Sequence, residues 1–128
     1  MQPAADFTRF ISAFEQKLAL VIPAAVSTEP YCCRYLEHLL SHKRYYLHIY
    51  ADVLQKLADR TGKSISETIL IDYGCGNGLL GLFASFCGFK KIIFADVDEK
   101  FVDATGQLSK QLGLNGGVLI AGDMDEIF

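Results

Sequence analysis

The chain has 128 residues, 51% of them hydrophobic, four cysteines and a formal net charge of −3. That length bounds it to one domain or less, with enough apolar residues for a core. Its charge is unevenly spread: residues 1–66 hold eight Lys/Arg against six Asp/Glu (+2), and residues 67–128 hold four against nine (−5), so the second half is a poor site for a polyphosphate or a nucleic-acid backbone.

No CxxC pair occurs, the adjacent Cys32-Cys33 make a poor bridge, and no basic leader opens the chain. The expectation is reduced thiols and a cytoplasmic protein. The apolar run Leu18 to Val26 contains Pro23 and is too short to span a bilayer.

Residues 1–5 read as a frayed start. From Asp6, a plausible N-cap, apolar residues at Phe7, Phe10, Ile11, Phe14, Leu18 and Val21 predict an amphipathic helix that Pro23 stops. A linker, Ala24 to Ser27, leads to Thr28-Glu29-Pro30, a helix start with proline in its first turn. The second helix runs from about Glu29 to Leu40 and buries Cys32 or Cys33, Tyr35, Leu36, Leu39 and Leu40. Ser41 either caps a third helix or sits inside one long one. That helix carries the stripe Leu47, Tyr50, Val53, Leu54, Leu57 and Ala58, and Gly62 ends it.

Beyond residue 66 the pattern changes. Ile69 to Tyr73 predicts a strand, and Leu79 to Phe86 a helix apolar nearly all round, ended by Gly88. Lys91 to Ala95 predicts a second strand reaching Asp96. Phe101, Ala104, Leu108 and Leu112 mark a helix from about Glu99 to Leu112, and Val118 to Ala121 a third strand before Gly122-Asp123. The fold class is therefore α/β: a Rossmann-like parallel sheet, β-α-β-α-β in order 3-2-1, preceded by two or three helices. Residues 1–66 form an N-terminal helical region and 67–128 a partial nucleoside-binding domain. Continuous apolar strands predict a sheet covered on both faces.

Two ligands compete for the glycine loop. Gly76-Asn77-Gly78-Leu79-Leu80-Gly81 is a literal G-x-G-x-x-G, and Asp96 lies 20 residues past Gly76, which on pattern alone reads as an NAD site. The wider segment Asp72-Tyr73-Gly74-Cys75-Gly76-Asn77-Gly78 resembles motif I of the class I S-adenosylmethionine-dependent methyltransferases, an acid two residues ahead of G-x-G-x-G. A pyrophosphate is repelled by a carboxylate at that place, whereas S-adenosyl-L-methionine has no phosphate and carries an ammonium and a sulfonium. Asp72 and the acidic second half favour the methyl donor.

The resemblance covers about Ile65 to Met124. It implies cofactor binding by Asp72, Gly74, Cys75, Gly76, Asn77 and Gly78, with Asp96 on the ribose hydroxyls and Val97 against the adenine. It further places Asp123 at the adenine amine and Met124 on the ring. Asp98 reads as the N-cap of the helix that follows.

Bland readings win elsewhere. Cys75 is a small residue in a tight turn, with no adjacent His partner to make it a nucleophile. His38 and His42 stand at i, i+4 but lack a third metal ligand. The run His42 to Tyr50 interleaves cations and tyrosines. It reads first as a half-buried helix, and on the functional reading Tyr45, Tyr46 or Arg44 shapes the substrate side, Arg44 by meeting the methionine carboxylate.

Sixty residues from Ile69 to Phe128 hold three strands, which leaves the first strand at an edge with apolar side chains bare. The chain therefore reads as part of a longer enzyme whose missing C-terminal half completes the sheet, or as one subunit of a homo-oligomer. The expected function is methyl transfer to an unidentified acceptor with no membrane partner. The rivals are an NAD-linked oxidoreductase domain and a non-catalytic binding module. No catalytic residue is named and no metal site is expected.

Overall fold

The computed structural model describes residues 6–123 and 125; residues 1–5, 124 and 126–128 lie outside that set. Asp6 caps the first turn as expected, its Oδ1 accepting from the Thr8 amide at 3.2 Å and the Thr8 hydroxyl at 2.6 Å. The turn it caps is a 3-10 helix, Phe7–Phe10, that passes into α1 (Ile11–Leu18). Pro23 does more than stop a helix. It opens a short one, α2 (Pro23–Val26), from its first position, where its fixed φ and missing N–H carry no penalty. The predicted linker is therefore mostly helical, and Val26 is buried.

The next helices are α3 (Pro30–Ser41) and α4 (Lys43–Thr61), separate elements broken at His42 (φ −121°, ψ 28°). Ser41 ends α3 with its hydroxyl turned back to the Glu37 carbonyl at 2.8 Å, so it does not cap α4. Gly62 closes α4 in the left-handed conformation (φ 64°), as the sequence predicts. A 3-10 turn, Ile65–Glu67, leads into the sheet.

The strands are β1 (Ile69–Tyr73), β2 (Lys91–Asp96) and β3 (Val118–Ala121), joined by α5 (Leu79–Cys87) and α6 (Glu99–Leu112). β2 lies between β1 and β3, parallel to both, in the register Asp72↔Phe94↔Leu119. This is the predicted Rossmann-like 3-2-1 order with β1 at the edge.

Both crossover helices lie on one face. A Cβ on Gly81 of α5 would meet Phe94, and one on Gly106 of α6 would meet Leu119; Phe94 and Leu119 are in register and so share a face. Two right-handed crossovers stepping in the same direction force this. The expectation of two covered faces is therefore corrected: among the described residues the opposite face keeps Ile69 and Ile71 51% and 47% exposed.

The N-terminal helices pack outside the α5–α6 layer. Phe14 is fully buried and meets Phe83 and Phe86 at centroid distances of 5.4 and 5.2 Å, while Phe7 stacks on Phe89 at 6.0 Å. One apolar cluster thus runs from Phe7 to Leu112. All four cysteines are free thiols. No helix among the described residues is long and apolar enough to cross a membrane.

Candidate functional site

The C-terminal ends of β1 and β2 carry the two acids singled out in the sequence. β1 delivers Asp72, and the chain then turns through Gly74, Gly76 and Gly78, all at positive φ (74°, 56°, 78°). The Gly74 and Cys75 amides donate to the Ala95 carbonyl at 2.7 and 3.0 Å, which pins the turn to the end of β2. Gly78 begins α5 with no side chain to cap it. Asp72 supplies the cap instead: its Oδ2 accepts from the Gly81 amide at 3.1 Å, placing a carboxylate at the positive end of the helix. Burial pushes the Asp72 carboxyl above the usual range, against the Gly81 hydrogen bond and with the help of the Asp96 charge.

Asp96 ties two loops together. Its Oδ2 accepts from the Gly76 amide at 3.0 Å and its Oδ1 from the Asp98 amide at 2.9 Å. A carboxylate offers about four acceptor positions, so two remain for a pair of hydroxyls such as a ribose diol. Val97 follows with two thirds of its surface exposed, open to an apolar face of a ligand. The Gly122 amide donates to the Asp96 carbonyl at 3.0 Å, which brings the loop holding exposed Asp123 beside that of Asp96. The expectation for Met124 lies outside the described residues. Asp98 is the N-cap of α6, accepting from the Lys100 amide at 2.9 Å and from the Tyr31 hydroxyl; the Tyr31 bond in particular holds its carboxyl below the usual range.

The loop is open at Gly74, bordered by half-exposed Tyr35 at Gly76 and packed at Asn77. A Cβ at Gly74 would meet no atom within 4 Å, so a ligand has room there, whereas one at Gly76 would lie 3.1 Å from Cε1 of Tyr35. Asn77 is 1% exposed and its Nδ2 donates to the Cys32 carbonyl at 3.3 Å. Burial pushes the Cys75 thiol up to about 12, which removes it as a nucleophile near neutral pH. A cradle open at Gly74 and lined by two carboxylates fits a ligand with vicinal hydroxyls and a cation.

Three contributors escaped the sequence reading. Thr105 of α6 is fully buried, and its hydroxyl lies 2.8 Å from the Gly76 carbonyl and 2.9 Å from that of Phe101. A lone Thr on the apolar stripe of α6 was the available signal. Tyr35, expected in the core, is 43% exposed and leans on the glycine loop. Tyr31 joins α3 to Asp98. By contrast Arg44 turns away to Glu15, with Nε to Oε1 at 3.0 Å. Arg44→Ala is therefore expected to leave ligand affinity within twofold of wild type by titration calorimetry; a larger loss would return Arg44 to the site.

Sequence comparison with known proteins finds relatives that match part of the chain. The chain is similar to the ribosomal protein L11 methyltransferase of Psychrobacter sp. (strain PRwf-1), 43% identical over 47 residues, 37% of this chain and 15% of the relative. The protein of the same name from Acinetobacter baumannii (strain AYE) is 44% identical over 52 residues, 41% of the chain and 16% of the relative. That of Cellvibrio japonicus (strain Ueda107) is 40% identical over 49 residues, 38% and 17% respectively. The matched stretch thus spans about one-sixth of the length of these relatives. No protein-family model matches the chain, and no solved structure matches it significantly.

Proposed function

We propose that the chain binds S-adenosyl-L-methionine and serves methyl transfer to an acceptor nucleophile. The observation that carries this reading is a positive-φ glycine turn flanked by two buried carboxylates, Asp72 and Asp96, with neither in an ion pair among the described residues. Asp72 would meet the ammonium, Asp96 the ribose diol, Val97 the base, and Asp123 and Met124 the far edge of the adenine. Gly74 leaves the backbone open to close approach.

The bound donor supplies a methyl group already activated by its sulfonium. What this chain contributes is orientation, holding the donor so that the carbon faces the acceptor. The methyltransferase names of the partial relatives support the class, and make ribosomal protein L11 the first acceptor to assay. Among the described residues, exposed Ile69 and Ile71 on β1 are suited to further structure that completes the sheet, from a longer chain or a second subunit. A dinucleotide would place a pyrophosphate against Asp72, so the literal G-x-G-x-x-G carries less weight.

Titration calorimetry with S-adenosylhomocysteine and with NADH tests the choice. The expected result is saturable binding of the former and none of the latter; tight NADH binding without the homocysteine compound overturns the proposal.

A further inference from the structure

Asp72 and Asp96 are 8% and 9% exposed, and their recorded partners are backbone amides: Gly81, Gly76 and Asp98. The ion pairs among the described residues, Arg44–Glu15, Lys56–Asp52 and Lys100–Glu29, involve neither. Two poorly solvated negative charges without a counter-ion are a costly arrangement in an empty protein. They are an asset for a protein that takes up a cation.

Helix α3 brings a second feature to the same place. The edge of the Tyr35 ring rests against Gly76. Phe101 meets the same ring in a T-shaped contact at 5.6 Å and holds it, while 43% of the residue stays open. Burial raises the pKa of its hydroxyl, and the charges of Asp72 and Asp96 add to that shift. Tyr50 meets Tyr46 at a centroid distance of 6.2 Å. The Tyr35 ring therefore borders the loop residue whose amide buried Asp96 holds. An aromatic face attracts a cation through its quadrupole and gains little from a neutral group of the same shape.

We infer that Tyr35 is a specificity-determining residue, an aromatic wall that favours the sulfonium of S-adenosylmethionine over the neutral thioether of its demethylated product. The inference rests on the methyl-donor reading above. It assigns the N-terminal helices a role in the site that the glycine motif does not contain: the wall holds the charged donor and loosens its grip once the methyl group, and with it the charge, has gone.

The test is calorimetry on the full 128-residue chain with S-adenosylmethionine and S-adenosylhomocysteine, in wild type, Tyr35→Leu and Tyr35→Phe, with circular dichroism confirming the fold. Tyr35→Leu is expected to weaken the sulfonium ligand by roughly 2- to 30-fold, the range of a cation–ring contact, and to change the thioether by less than twofold. Tyr35→Phe keeps the face and is expected to match wild type. Equal losses for both ligands, no loss for either, or a Tyr35→Phe variant as weak as Tyr35→Leu overturns the inference and leaves the methyl-donor reading standing. Wild-type protein that binds neither ligand overturns both.

Discussion

Gly78→Ala is expected to lower stability by about 2–5 kcal/mol, a large share of the ~5–15 kcal/mol of an ordinary domain. Two effects combine. Gly78 sits at φ 78°, where a side chain costs on the order of 1–2 kcal/mol. Its new Cβ would also lie 2.4 Å from Cγ2 and 3.0 Å from Oγ1 of Thr105. Thr105 has no room to retreat, being fully buried and within hydrogen-bonding reach of the Gly76 and Phe101 carbonyls; overpacking of this kind costs roughly 1–3 kcal/mol.

Gly74→Ala is the matched comparison. It has the same backbone strain (φ 74°) but no atom within 4 Å of the added carbon, so its stability loss should stay near 1–2 kcal/mol. Urea melts of both variants read the difference. Thr105→Ala in the Gly78→Ala background should recover part of the loss, giving a coupling of about 1 kcal/mol or more. Equal losses for Gly74→Ala and Gly78→Ala would show that Thr105 does not crowd the turn. Ligand affinity should rank the other way at Gly74, whose open side is where the proposal puts the donor.

Periodicity and turn chemistry located the sheet because each strand is a continuous apolar run closed by an acid or a glycine. β1 and β3 have the predicted bounds, β2 takes in Asp96, and α6 runs from Glu99 to Leu112. The end of β1 at an open edge also followed from counting strands. Local pattern could not say which face each crossover helix covers, because that depends on the direction of successive steps across the sheet.

It also misplaced Tyr35. An aromatic at helical spacing beside Leu36 and Leu39 looks like core, yet α3 points it at a loop 41 residues further along the chain. Pro23 was read as punctuation, and the short helix it starts is fixed by burial of Val26 against distant elements. In the site, the residue types with unusual chemistry for their position were legible: Asp72 and Asp96 at strand ends, and the glycines between. The residues that brace them, Thr105 and Tyr31, are common types in common helical positions. Their roles appear once α3 and α6 converge on the loop.

Asp72→Asn is expected to weaken S-adenosylmethionine about 10- to 100-fold, the equivalent of one charge-assisted hydrogen bond to its ammonium, while leaving the unliganded fold as stable as wild type or stabler. The two effects part because Asp72 serves the fold and the ligand through different properties. For the fold it is an acceptor for the Gly81 amide at the start of α5, and an asparagine oxygen accepts equally. For the ligand it is a charge.

That charge is a burden on the empty protein. Burial, chiefly, and the Asp96 field raise the Asp72 pKa above its ordinary 3.8. A carboxyl whose folded pKa is raised favours the folded state when protonated. The penalty is full above the folded pKa, shrinks as pH falls through it, and is gone below the ordinary value. Urea melts from about pH 4 to pH 7 should therefore show Asp72→Asn gaining most over wild type at the upper end and least at the lower. Wild-type affinity for the methyl donor should fall on acidification through the same window, and that of Asp72→Asn should be flatter. A variant that binds the donor as tightly as wild type at pH 7 would remove Asp72 from the ligand and leave it a helix cap alone.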